Sequence, residues 1–166
     1  MRDAGSDQRA AAPDRSDRAA WLSWICAYLA ASALGHLAWE LAQMPFYTVW
    51  STGSAGQIAF DALHCTAGDI LIAISAVTLA SLLLRACRIV HQRCFRIALA
   101  TILLGLAYTA FSEWLNVQLW RSWAYSSAMP VLPELGIGLT PLLQWLVVPL
   151  GALLAAHRAY SHRIAA

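Results

Sequence analysis

Lysine is absent from this chain of 166 residues, and charge of either sign is scarce, with Asp, Glu and Arg making up only 12% of the sequence. Eight of those twenty charges stand in the first eighteen positions, which leaves twelve for the other 148. Soluble proteins carry about 25% charged residues, and a deficit of this depth excludes an ordinary soluble domain. The net charge of +2 gives a nucleic-acid partner no electrostatic support. Composition also argues against collagen, coiled coil and disorder. There is no CxxC pair, glycine-rich phosphate loop, GxSxG elbow or internal repeat. Cys26, Cys65, Cys87 and Cys94 are scattered, so no disulfide framework is expected and packing is their simplest role.

What the chain has instead is apolar length, since 60% of its residues are hydrophobic. A helix needs about 20 largely apolar residues to cross a hydrocarbon core of about 30 Å. Four runs qualify, at about 21–43, 57–84, 97–119 and 137–156. The expected fold is all-α, a polytopic four-helix transmembrane bundle forming one membrane domain over 21–160. The first 20 residues alternate Asp and Arg with small residues and read as a disordered tail. Arg2, Arg9, Arg15 and Arg18 precede the first run, Arg85, Arg88, Arg93 and Arg96 separate the second from the third, and Arg158 and Arg163 follow the fourth. Only Arg121 falls on the other side. Cytoplasmic loops are enriched in basic residues, so both termini are expected inside, with 44–56 and 120–136 outside. High Ala and Arg content fits a GC-rich bacterial genome, and the expected location is a bacterial inner membrane.

Four of the nine acidic residues lie within the apolar runs: Glu40, Asp61, Asp69 and Glu113. An ionised side chain near the bilayer centre costs at least about 2.5–3.5 kcal/mol, so these acids should face the bundle and have partners. His36, His64, Gln43, Asn116 and Gln144 are available. Because successive helices run in opposite directions, all of these residues fall in the outer halves of their spans. Asp69 is deepest, roughly 18 Å below Gln57 at 1.5 Å per residue. The stretches 71–84 and 146–156 are nearly pure apolar by contrast. Spacings of three and four put His36, Glu40 and Gln43 on one helix face, Asp61, His64, Cys65, Gly68 and Asp69 on a second, and Tyr108, Ser112, Glu113 and Asn116 on a third. A polar cavity in the outer half of the bilayer follows. Its expected catalytic groups are His36, Glu40, Asp61, His64, Asp69 and Glu113. Gln43, Asn116, Gln144, Trp39, Trp123, Tyr125 and Trp145 are its expected substrate contacts. The loop from Trp120 to Pro141, rich in prolines and aromatics, is expected to fold back over it as a lid.

Each feature has a plainer reading. Asn116, Gln43 and Gln144 suit interhelical hydrogen bonding, and Trp39 and Trp145 suit core or lipid-facing packing. What argues for function is number, because apolar residues would pack four helices at lower cost than four acids at one depth.

The segment from His36 to Phe46, His-Leu-Ala-Trp-Glu-Leu-Ala-Gln-Met-Pro-Phe, resembles helix segments of the EXPERA group of emopamil-binding isomerases and sigma-2-type proteins. The resemblance covers about a dozen residues and implies a small helical membrane protein in which His36 and Glu40 act as intramembrane acid–base groups. The stretch from Asp61 to Asp69 has no counterpart there. The leading expectation is an integral membrane enzyme performing acid–base chemistry on an isoprenoid or lipid. The residues leave three alternatives open. One is a zinc or iron site from His36, Glu40, His64 and Asp61 or Glu113. Another is haem held by His36 and His64. The third is proton or ion conduction, against which the apolar inner half counts.

Overall fold

A computed structural model describes residues 15–84 and 90–164, and in it the chain is an all-α four-helix bundle. Helix α1 covers Arg15–Gln43, α3 Ala55–Leu83, α4 Val90–Trp114 and α5 Leu139–Ile164. A short helix, α2, spans Val49–Thr52 in the first interhelical loop. The long helices pack as a ring, α1 against α5 and α3, and α4 against α3 and α5. Four segments are long and apolar enough to cross a membrane: Leu22–Phe46, Ala55–Leu83, Phe95–Leu119 and Leu139–Arg158. The chain is a multi-pass membrane protein.

The distribution of side chains supports that reading. Leu34, Phe60, Leu63, Leu71, Leu82 and Phe95 are all at least 60% exposed, while His36, Glu40, Asp69, Glu113 and Gln144 are buried. In water such an arrangement would leave a large apolar surface unpaid by burial, whereas lipid receives it without cost. The inward faces follow helical spacing. On α3 they are Ala62, Thr66, Asp69, Ala73, Ala76, Val77 and Ala80. On α4, Ile97, Thr101, Gly105, Thr109 and Glu113 recur every four residues, and all are buried. Small residues let the backbones approach. At Gly105 the approach is closest, because an added Cβ would fall 2.0 Å from the indole of Trp145.

Boundaries differ from the sequence reading in four places. Helix α1 starts at Arg15, inside the stretch read as tail, since after Pro13 no proline or glycine interrupts the sequence until Gly35. The first loop is not irregular. A 3-10 turn at Met44–Phe46 and α2 lead to Ser54, whose hydroxyl caps α3 by accepting from the Gln57 amide at 3.2 Å. Helix α4 widens into a π turn at Leu115–Leu119. Helix α5 begins at Leu139, not 137, since Ile137–Gly138 form strand β2, paired antiparallel with β1 (Val131–Leu132), and it continues past 156 to Ile164. Residues 1–14, with Arg2 and Arg9, and Arg85, Cys87 and Arg88 lie outside the described residues, as do the side chains of Arg93 and Cys94.

Candidate functional site

The lid expected over the cavity is held by backbone bonds. The Thr48 amide donates to the Ala124 carbonyl at 2.9 Å and the Ser126 amide to the Phe46 carbonyl at 2.8 Å, clamping Tyr125 beside Tyr47. Gly136 turns the hairpin with a φ of 62°, and Gln118 donates to its carbonyl at 2.9 Å. These bonds bring the Tyr125 phenol to Glu113, to which it donates, while accepting from the Gly138 amide at 2.7 Å. Burial, reinforced by the Glu113 charge, pushes the Tyr125 phenol above its ordinary value, and burial does the same at Tyr47. Both phenols therefore remain neutral donors through the physiological range.

Beneath the lid, Gln144 of α5 is the hub. Its amide nitrogen lies 3.0 Å from Glu40 Oε1, 2.9 Å from Asp69 Oδ2 and 3.0 Å from His36 Nδ1. The nitrogen has two hydrogens for three neighbours, and His36 Nδ1, 3.3 Å from Asp69 Oδ2, can supply the remaining proton by donating there. The orientation of the hub is set from outside. The Trp39 indole donates to Gln43 Oε1 at 3.2 Å, and Gln43 Nε2 to Gln144 Oε1 at 3.4 Å. From the core, Trp145 donates to Asp69 Oδ1 at 3.1 Å. Asp69 thus has a donor on each oxygen, while Glu40 receives one from Gln144 at 3.0 Å and has Gln43 and the Asp69 carboxyl close to it.

A cavity of about 740 Å³ opens on this cluster. Glu40, Asp61, Asp69 and Glu113 line one end with Gln43, Asn116 and Gln144. Leu71, Ile72, Ala76, Leu79 and Leu104, from α3 and α4, line an apolar arm. The cavity therefore has the two-part lining of an amphipathic ligand site.

The geometry sorts the expected residues. Glu40, Asp61, Asp69, Glu113, Gln43, Asn116, Gln144 and Trp123 line the cavity. His36 stands behind the lining, wholly buried and reached through Gln144 and Asp69. His64 lines the cavity but is exposed and stacks on exposed Phe60, ring centroids 5.7 Å apart, so it belongs to the mouth and not the cluster. Asn116 is partly spent on its own helix, donating to the Ser112 carbonyl at 2.9 Å. Three expected substrate contacts, Trp39, Tyr125 and Trp145, are not among the residues that line the cavity, Tyr125 being held against Glu113 and Gly138. Trp145 is fully buried in the core against Gly105 and does not line the cavity. Trp39 lies in a shallow groove between α1 and α5, on the other side of the Gln43 relay. Trp side chains at similar depth can face core, lipid or cavity, and spacing alone does not separate these.

Among the described residues, no group of three or more His, Cys, Asp or Glu is placed to hold a metal ion. His64 is exposed and His36 fully buried, so the two histidines of the metal and bis-histidine haem alternatives stand in different surroundings. Three residues were missed. Tyr47, read as loop, is buried and lines the cavity. Tyr28 and Ser32 continue the His36 and Glu40 stripe down α1 at four-residue steps and are buried, a spacing visible in the sequence. With Thr101 of α4 they correct the expectation of an apolar inner half. Comparison with family models, curated proteins and solved structures finds no match, so function must be argued from this geometry.

Proposed function

We propose that the chain is an integral membrane enzyme that carries out general acid–base chemistry on a lipophilic substrate, an isoprenoid or lipid, entering between α3 and α4. The observation that carries this reading is the joining, in one cavity, of a carboxyl cluster to an apolar arm. The arm receives a hydrocarbon chain, and its end delivers a reactive group to Glu40 and Asp69. Asp69, bonded by Gln144 and Trp145 and adjacent to His36, is furnished as the carboxylate of the pair. Glu40, which lines the cavity beside Asp69 and shares Gln144 with it, is the group placed to give and take a proton. His36 is a positioning residue on this reading, orienting Asp69 and sharing its proton, while Tyr125 holds Glu113 and closes the lid. The resemblance to the EXPERA His-x-x-x-Glu pair implies acid–base roles for both residues; on this reading Glu40 takes that role directly and His36 acts through Asp69. We place the protein in a bacterial inner membrane, with its arginine-rich end toward the cytoplasm.

Native mass spectrometry of the protein extracted in mild detergent tests the substrate half of this proposal. A retained lipophile is expected with wild type and is lost in Ser75→Trp, which fills the arm from a partly lipid-facing position. A wild-type protein that carries no adduct, or one whose adduct is indifferent to Ser75→Trp, contradicts it.

A further inference from the structure

The hydroxyls inside the bundle fall into two sets. Thr66 donates to the Ala62 carbonyl at 2.8 Å and Ser81 to the Val77 carbonyl at 2.7 Å, the local bond by which Ser and Thr satisfy themselves within a helix. Ser32, Thr101 and Thr109 make no such bond, although they are 1%, 0% and 8% exposed, and Thr109 lines the cavity while the other two lie deeper in the bundle. His36 Nε2 is equally without a hydrogen-bond partner, and the Tyr28 hydroxyl has Ser32 near it but no close hydrogen bond; both residues are 0% exposed.

The four groups other than Thr109 are not scattered. Tyr28, Ser32 and His36 succeed one another at four-residue steps on the buried face of α1, with Ser32 the polar group that faces the Tyr28 phenol. Thr101 stands on α4 one turn from Gly105, over which Trp145 lies, and Trp145 in turn contacts the His36 ring at a centroid distance of 5.2 Å. Hydrogen-bonding glue would be paired, and packing would be served better by Ala, Val and Phe, because unpaired polar groups are costly inside a membrane protein. Buried groups of this kind are met by internal water, each molecule making about three bonds.

We propose that Tyr28, Ser32, His36 and Thr101 hold a file of water molecules along which protons pass between the arginine-rich end of the bundle and the Asp69–Glu40 cluster. The stripe covers the middle of the span, and the file must continue past Tyr28 to reach the arginine-rich end. Tyr28 lies about 9 Å inside Leu22, where the span begins, and His36 about 12 Å further on, at 1.5 Å per residue. His36 joins file to cluster on this proposal, because Nε2 is buried without a partner and Nδ1 lies 3.3 Å from Asp69 Oδ2. A proton bound at Nε2 is matched by one released from Nδ1 to the Asp69 carboxylate. An O–H bond of the donating water breaks as the Nε2–H bond forms, the Nδ1–H bond breaks as an O–H bond forms on Asp69, and no electron is transferred; once Asp69 has passed its proton on, a turn of the imidazole ring restores the starting tautomer for the next proton. The cavity completes the route to the opposite face. This path concerns where protons come from, and it stands or falls independently of any lipid substrate.

The test is proton flux into vesicles holding the full-length protein and an entrapped pH dye, driven by a potassium diffusion potential. Wild type is expected to acidify the lumen faster than protein-free vesicles. Ser32→Val and Thr101→Val should each slow the protein-dependent flux about tenfold, and Ser32→Thr should restore it. Ser81→Ala, which removes a hydroxyl already bonded to its own helix, should leave it unchanged. If Ser32→Val fails to fold, Ser32→Ala carries the same expectation. Wild-type flux equal to that of empty vesicles overturns the proposal. So does wild-type flux in a folded Ser32→Ala or Thr101→Val protein.

Discussion

Trp145 reaches Asp69, 3.1 Å from its indole nitrogen, only because the residue beneath its ring is Gly105. The relation joins packing to chemistry: a glycine on α4 decides where an indole of α5 lies, and the indole helps orient a carboxylate on α3.

Gly105→Ala is accordingly expected to be costly out of proportion to one methyl group. The new Cβ would stand 2.0 Å from ring carbons, so Trp145 must shift and its bond to Asp69 is lost. Overpacking costs about 1–3 kcal/mol, and a buried carboxylate deprived of a donor about as much again. Thermal unfolding in detergent should show a clear fall in midpoint, larger than that of Trp145→Phe, which loses the bond but keeps much of the packing. An unchanged midpoint for Gly105→Ala would contradict the arrangement.

Glu40 and Asp69 should respond differently to neutral replacement. Asp69 accepts from Trp145 on one oxygen and from Gln144 on the other, so Asp69→Asn turns an amide hydrogen against a donor and should destabilise by about 1–3 kcal/mol. Glu40 accepts from Gln144 through one oxygen, and Glu40→Gln preserves that bond while removing a buried acid. Its unfolding midpoint should equal or exceed that of wild type. Equal losses in the two variants would show the cluster to be simple structural glue.

Tyr125→Phe should loosen the lid, since one hydroxyl serves both Glu113 and Gly138. Limited proteolysis within 120–138 is expected to accelerate. The pH dependence has a definite sign. The folded-state phenol is raised above its ordinary value of 10.0, so its stabilising contribution is complete below about pH 10 and is lost as pH rises toward the folded value. Wild type should therefore lose stability above about pH 10 more steeply than Tyr125→Phe. Parallel profiles would show that the phenol is not held by the fold.

Orientation can be checked with reporter fusions. Alkaline phosphatase joined near Gly53 should be active and joined near Val90 inactive, because the basic residues gather at the end of the bundle that holds Val90. The reverse pattern would turn the cavity to the cytoplasmic side.

The spans were legible because bilayer thickness and apolar length are nearly sufficient to define them. Depth was legible for the same reason, and it brought Glu40, Asp69, Glu113 and Gln144 to one level. Rotation about the helix axis was not. His36 and His64 have similar depth, yet one is enclosed and the other stacks on Phe60 at the mouth, a difference set by how α1 and α3 turn toward their neighbours. Trp145 looked like a substrate contact because nothing local shows that Gly105 lies opposite. Tyr47 was hidden by its place in a loop, and it enters the cavity only through its bridge to Tyr125, distant in sequence.

The central claim, that the carboxyl cluster transfers protons to and from a lipophile, is tested most directly with heavy water. Purified protein is incubated in deuterium oxide with a total lipid extract, and the lipids are surveyed by mass spectrometry for carbon-bound deuterium. At least one lipid is expected to gain deuterium with wild type and none with folded Glu40→Gln. A lipid pool that gains no deuterium above the protein-free control, or gains it equally with Glu40→Gln, would contradict the claim.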